Sequence, residues 1–232
     1  MPSAIVVSGS GRWADPWHPF PETSERLRGA VAAAGVDVEV REDVEDALVG
    51  LPEVDLLVLN VGDPDGPDPD VPAEQLPERP TMPVVEAAVS SLHAHLDRGG
   101  ALLAVHSSTT ALGSFGGWSR AIGGHWVRGR TMHPEHSDCT IDVHTDAHPV
   151  TTGLSDIEVS DERYSWLHTE DDITVLGDHT HAGERHPMIW VREQGAGRVL
   201  YDGLGHDARS YDSPGHQQLL AQGIAWLLGT TG

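Results

Sequence analysis

The chain has 232 residues, with 14 Lys and Arg against 36 Asp and Glu, a formal net charge of −22 with histidine neutral. That charge argues against nucleic acid and anionic membranes as partners, because both are recognised through basic patches. A single cysteine, Cys139, excludes an internal disulfide framework and any cysteine-only metal cluster. No apolar run approaches the ~20 residues of a membrane span. The N-terminal MPSAIVVSGSG carries no basic segment ahead of its apolar run, so no leader peptide is expected. The expectation is one cytoplasmic domain over residues 1–232. The 15 histidines are the unusual count: protonating every one would still leave the chain acidic, so they do not serve as charge balance.

In chain order, residues 4–9 (AIVVSG) read as a short buried strand closed by glycine. Residues 22–35 place Leu27, Ala30, Val31 and Ala34 at helical spacing and stop at Gly35. Residues 37–42 alternate like a strand, a short helix follows, and 54–61 (VDLLVLNV) form a continuous apolar run suited to a strand covered on both faces. The Pro- and Asp-rich stretch 62–80 accommodates neither a regular helix nor a central strand and reads as a surface loop, with a lid as the alternative. A helix over 83–97 and a buried strand over 101–106 complete a β-α-β pattern that implies parallel strands with crossover helices. A short helix is expected at 118–123, then strands at 140–145, 157–161, 173–178, 187–193 and 197–204, and a closing amphipathic helix at 215–228. Strands so closely spaced suggest added antiparallel pairs.

Ligands of open α/β sheets bind at the carboxyl ends of the strands. Trp13, Trp17 and His18 follow the first strand, His106 follows the strand at 101–106, and His206–Asp207 follow the strand at 197–204. His106 sits on a strand–turn–helix elbow whose small neighbours, Ala104 and Ser108, suit a tight turn. An imidazole there suits acid–base work, a hydrogen bond to substrate, or metal ligation. Gly203 and Gly205 allow close backbone approach near His206. Asp161, Glu162 and Tyr164 end a strand, where a carboxylate is either a solvated turn residue or a base or ligand. His133 and His136, with His125, His144 and His148, are a second set of candidate metal ligands, although Pro134 interrupts any helix that would align them. His93, His95 and His216 are expected at the surface, and Trp226 and Ile224 in the core. Trp13, Trp17 and Trp118 are candidate stacking platforms for the apolar face of a sugar.

The stretches GGALLAVHSSTTAL, WSRAIGGHW, DAHPVTTGL, SDERY, ERHPMIW and GAGRVLYDGLGHD, in that order from about residue 99, resemble the ThuA-like, trehalose-utilisation family. The resemblance implies a flavodoxin-like fold of the class I glutamine amidotransferase superfamily: an open, mainly parallel sheet with helices on both faces and extra antiparallel strands in the C-terminal half. Amidotransferases carry cysteine at the elbow. This chain has His106 there and Cys139 elsewhere, which excludes that chemistry by residue type. The matching motifs carry over His106, Glu162, Tyr164, His186 and His206, and His18 joins them from its place after the first strand.

The resulting expectation is acid–base chemistry on a trehalose-like disaccharide or keto-sugar, in the class of a lyase, isomerase or hydrolase. His106, His206 and Glu162 would be catalytic, and His18, Trp17, Trp118, Tyr164 and His186 would bind substrate. A divalent metal is a candidate cofactor, with His18, His106 and His206 as its ligands. Two other readings fit the same residues: a non-catalytic sugar- or partner-binding domain, and a metal-dependent hydrolase. The acidic surface suits a neutral sugar or a cation better than a phosphorylated ligand, and a homodimer is the default assembly.

Overall fold

A computed structural model describes residues 1–64, 66, 71–75, 78–113 and 115–230. The first half alternates as expected: β1 (Ser3–Ser8), α1 (Phe20–Ala33), β2 (Asp37–Arg41), α2 (Val44–Val49), β3 (Leu56–Asn60), α3 (Met82–Asp97) and β4 (Ala101–Val105). Then come α4 (Gly116–Ile122), β5 (Gly124–His125), β6 (Ser137–Val143), β7 (Ile157–Asp161), β8 (His168–Thr169), β9 (Thr174–His181), β10 (Glu184–Gln194), β11 (Gly197–Asp202) and α5 (Pro214–Leu227).

Nine strands form one sheet in the order β2-β1-β3-β4-β11-β10-β9-β6-β7, and β5 and β8 form a separate pair. β2, β1, β3, β4 and β11 run parallel, whereas the pairs from β11–β10 outward are antiparallel. The runs Leu56–Leu59 and Ala101–Val105 are buried on both faces, as their unbroken apolar sequence requires. α1 packs against α5, while α2, α3 and α4 form a second contiguous set, so helices cover both sides of the parallel half. β1 and β3 are neighbours whose connections lead away in opposite directions, which opens a crevice at their carboxyl ends.

β9 and β10 are longer than the sequence suggested, β7 matches it, and β11 ends two residues earlier. β9 and β10 form a hairpin through Ala182 and Gly183, both with positive φ (51° and 81°), the conformation of a two-residue turn that follows strand twist. Pro187 lies within β10 next to a register shift, the kind of irregularity at which a strand admits proline. Residues 65, 67–70, 76 and 77 of the loop at 62–80 lie outside the described residues, and Ala73–Gln75 form one 3-10 turn.

Three histidines expected at the surface are not there. His95 is fully buried on α3 with Leu92 and Leu96; its Nε2 donates to the Ala101 carbonyl at 2.8 Å. His216 is fully buried on α5, with Nε2 2.7 Å from Asp202 Oδ2 and Nδ1 3.0 Å from Ser210 Oγ. His93 is half-buried, between the Gly117 carbonyl and Gln194 Nε2. Each ring finds polar partners for its nitrogens, for His95 the Ala101 carbonyl and the Arg98 guanidinium, which makes burial tolerable. Trp226 and Ile224 are core residues, as read from the sequence.

Candidate functional site

Three separate backbone devices bring the site together. After β1, the Asp15–Pro16 turn folds back on itself: Asp15 Oδ1 accepts the N–H groups of Trp17 (2.9 Å) and His18 (3.0 Å). The same carboxylate lies 2.8 Å from His18 Nδ1 through both of its oxygens, and so orients the ring. After β4, His106 takes φ 42°, in the left-handed region that a non-glycine residue adopts at a cost, and opens the 3-10 turn His106–Thr109. Tyr201 donates its hydroxyl to the His106 carbonyl at 3.0 Å, and His106 Nδ1 meets the Gly203 carbonyl at 2.8 Å. The elbow is therefore pinned through both backbone and ring.

Asp161 supplies the third device. Its buried carboxylate accepts three backbone N–H groups, from Glu162 (2.8 Å), Gly205 (2.7 Å) and His206 (3.2 Å). It thus ties the end of β7 to the turn after β11 and sets Glu162 beside His206. Gly205 has φ 109°, and a Cβ there would sit 2.6 Å from the Tyr211 hydroxyl oxygen, so only glycine lets the turn approach. Of the two acids left open by the sequence, Asp161 holds the backbone and Glu162 faces the histidines. Asp207 caps the following turn through Arg209 N and pairs with the Arg209 side chain.

His18, His106, Glu162 and His206 each place one donor atom so that all four lie within 4.8 Å of one another. Glu162 Oε2 is 3.3 Å from His206 Nδ1 and 3.6 Å from His106 Nε2. Burial opposes ionisation of Glu162, but the two imidazoles outweigh it and hold its pKa well below the usual carboxylate range. Burial alone would lower the His106 pKa; Glu162 and Asp161 reverse this and raise it. For His18 burial dominates over Asp15, and with His106 and His206 adjacent its pKa is lowered. Tyr164, buried and facing Glu162, has its hydroxyl pKa raised far above normal and stays neutral. Among the described residues, no other three metal-ligating side chains converge this closely.

A cleft of about 670 Å³ opens above this cluster, walled by Asp15, Trp17, His18, Trp126, His133, Glu162 and Tyr164 among others. Trp17 is 55% exposed on that wall. The Tyr164 ring lies 4.3 Å from that of His106, tilted by 33°, and meets Trp126 edge-on at 4.9 Å. Of the residues singled out from the sequence, the structure gathers His18, His106, Glu162, His206, Trp17 and Tyr164 in or around one cleft.

Trp118 and His186 are corrections. Trp118 is fully buried, donates Nε1–H to the Ser108 carbonyl at 3.0 Å and packs on Trp13, itself core, so neither is an exposed sugar platform. His186 is buried on β10, accepts Trp166 N–H at Nδ1 (3.2 Å) and reaches the His181 carbonyl with Nε2 (3.3 Å). It is not a wall of the cleft; it braces Trp166, whose φ is 58°. The second histidine set does not assemble either: His125 pairs with His168, His144 with Asp178, and His148 with Trp226.

Asp15 and the Gly203 carbonyl escape the sequence reading, and His133 belongs with the cleft rather than with the dispersed set. Asp15 had a usable signal, since Asp-Pro initiates turns and His18 follows three residues on. His133, read as part of the dispersed set, lines the cleft with Nδ1 3.5 Å from Glu162 Oε1. The Gly203 carbonyl carries no side-chain signal at all.

The model of the ThuA family, described as trehalose utilisation, matches residues 3–227. A ThuA-like protein from Parabacteroides merdae is similar in structure, with a TM-score of 0.73 and 16% identity over 98% of this chain and 90% of that one. So is a cytoplasmic protein from Salmonella typhimurium, with a TM-score of 0.64 and 15% identity over 98% of this chain and 99% of that one. Part of a β-galactosidase from Bacillus circulans matches with a TM-score of 0.56 and 14% identity, over 97% of this chain and 30% of that one. At these identities the structural likenesses bear on the fold alone. No curated protein matches the chain. No described helix is long and apolar enough to cross a membrane. With the family model spanning nearly the whole α/β fold, the chain belongs to the ThuA family.

Proposed function

We propose that the chain is an enzyme of carbohydrate catabolism that acts on a neutral sugar or keto-sugar at the floor of the cleft. The observation that supports this reading most is the convergence of three imidazoles and one ionised carboxylate beneath aromatic walls, at the carboxyl ends of β1, β4, β7 and β11. The elbow holds an imidazole where a thiol would form an acyl intermediate, so the chemistry moves protons and polarises oxygen and makes no thioester. Proton removal beside a carbonyl, isomerisation, and elimination across a glycosidic bond all need these groups: one to polarise the carbonyl oxygen, one to take the proton. Glu162 lines the cleft and His106 and His206 lie against its carboxylate, which supports assigning the two roles to this group.

The walls suit the substrate class. Trp17, Trp126 and Tyr164 offer apolar faces to the C–H surfaces of a pyranose, and the carboxylates of Asp15, Asp63 and Glu162 outnumber the lining guanidinium of Arg128, itself paired with Asp63, which disfavours a phosphorylated ligand. The cleft volume lies within the range of small-molecule sites of roughly 300–1,000 Å³.

The test is incubation with 3-keto-trehalose and other keto-disaccharides, wild type against His106→Ala, with products followed by chromatography. Turnover that the variant loses supports the reading. Equal turnover by the variant, or none by either protein on any substrate, removes it; micromolar sugar binding without product would instead identify a binding module.

A further inference from the structure

Three buried ring nitrogens in this site point at one small volume and have nothing to bond. His18 Nε2, His106 Nε2 and His206 Nδ1 are each shielded from solvent and lack a hydrogen-bond partner. A buried polar atom left unpaired is costly, so three in one place need a reason. For two of the rings the opposite nitrogen shows what the free one is for. The His106 Nδ1 partner is the Gly203 carbonyl, which only accepts, so in the neutral ring Nδ1 carries the hydrogen and Nε2 presents a lone pair. His18 Nδ1 likewise faces the Asp15 carboxylate through both oxygens, leaving Nε2 as a lone pair. An imidazole whose far nitrogen is fixed by a carboxylate or carbonyl is the usual support for a metal-ligating histidine.

The carboxylate completes the set. Ligands on a tetrahedral ion with bonds of about 2.1 Å stand roughly 3.4 Å apart. Glu162 Oε2 lies 3.3 Å from His206 Nδ1 and 3.6 Å from His106 Nε2, and no pair among the four donors exceeds 4.8 Å. Hydrogen bonding alone does not explain this spacing, since neither Nε2 of His106 nor Nδ1 of His206 makes a bond with acceptable geometry. Three neutral imidazoles and one carboxylate suit a divalent ion of borderline softness such as Zn²⁺, Fe²⁺ or Co²⁺, whereas Mg²⁺ and Ca²⁺ prefer an all-oxygen shell.

We infer that His18 Nε2, His106 Nε2, His206 Nδ1 and Glu162 hold one divalent transition-metal ion at the base of the cleft. The inference concerns the site to which the preceding reading assigns the chemistry, but it stands on the arrangement of the donors alone. Asp15, Gly203 and Asp161 are then positioning groups: the first two fix which nitrogen each ring presents, and the third holds Glu162 and His206 side by side.

The experiment uses the full chain freed of any affinity tag, stripped with a chelator and titrated with Zn²⁺, Co²⁺ and Mg²⁺. Binding is read by calorimetry and, for Co²⁺, by visible absorption. The expected result is one Zn²⁺ or Co²⁺ per chain at micromolar or better affinity, with Mg²⁺ failing to compete. Glu162→Gln and His206→Ala should each weaken binding at least 100-fold, while His144→Ala, away from the cleft, should not. Asp15→Asn should weaken it 10- to 100-fold, and this variant leaves every ligand in place. Thermal melting of each variant without metal separates loss of ligation from loss of fold. No stoichiometric binding by the stripped wild type, or equal binding by folded Glu162→Gln and His206→Ala, overturns the inference. Keto-sugar turnover by metal-free protein would overturn it as a catalytic feature and leave the enzyme reading intact; stoichiometric metal without turnover would do the reverse.

Discussion

His106 Nδ1 lies 2.8 Å from the Gly203 carbonyl oxygen, a bond that joins residues 97 apart in sequence and locks the ring of the one residue that the β4 elbow displays. The same residue has φ 42°. The backbone strain and the ring bond oppose each other: the first costs stability, and the second, with the Tyr201 hydroxyl on the His106 carbonyl, offsets it.

His106→Ala and His106→Gly both lose the ring bond, but only glycine relieves the left-handed strain. The glycine variant should therefore be more stable than the alanine variant by about 1 kcal/mol in urea unfolding, with both inactive on keto-sugar. An alanine variant as stable as the glycine variant would show that the elbow is unstrained.

Asp161 has no place at the cleft surface, yet it should matter as much as the groups that do. Replacing it with Asn leaves one acceptor oxygen for three N–H donors and turns an amide toward one of them. A stability loss of about 3 kcal/mol is expected, together with a fall in kcat larger than any change in KM, because Glu162 and His206 lose their common support. Unfolding by denaturant and steady-state kinetics check the two halves separately.

Much of the fold is legible in the sequence, because parallel strands buried on both faces are written as unbroken apolar runs. Leu56–Leu59 and Ala101–Val105 are two such runs, and every strand expected in the first half is present within a few residues. The site is legible to the extent that it follows from topology: His18, His106, Glu162 and His206 are residues after strand ends, and strand ends converge. What is not legible is whatever long-range bonding decides. His95 and His216 look like polar residues near helix ends, and only the Ala101 carbonyl and the Asp202 carboxylate, supplied by other elements, make them core. His186 carries a motif position and the right residue type, but its ring nitrogens are taken up by backbone groups.

The buried His216–Asp202 pair sets a pH dependence of stability. Burial works against the imidazolium, but Asp202 outweighs it and raises the His216 pKa in the folded chain. A histidine raised on folding contributes stability that is fully present below its unfolded pKa of about 6.5 and is lost as pH rises through the folded value. His216→Gln removes that term. The stability gap between wild type and variant should be largest near pH 6 and shrink toward alkaline pH, with the loss at low pH about 3 kcal/mol or more for breaking a buried pair. His95 carries the opposite sign: burial lowers its pKa, so its contribution is lost as pH falls below about 6.5. Unfolding free energies of wild type, His216→Gln and His95→Gln across pH 5 to 9 separate the two; a gap for His216→Gln that grows with pH would contradict the assignment.

Trp17 and Trp118 read alike from the sequence and stand apart in the structure. Trp17 is 55% exposed on the cleft wall, whereas Trp118 is fully buried with its indole N–H on the Ser108 carbonyl. Trp17→Ala should leave the melting temperature nearly unchanged and raise KM for a disaccharide substrate up to about tenfold at constant kcat, because a sugar face stacked equally in ground and transition states contributes uniform binding. Trp118→Ala should instead cost about 3–5 kcal/mol of stability through the cavity left in the core, with KM of the folded fraction unaltered. Calorimetric melting and steady-state kinetics on the two variants check these outcomes. If Trp17→Ala lowers kcat and leaves KM alone, the ring acts only in the transition state and the stacking role assigned to it is wrong.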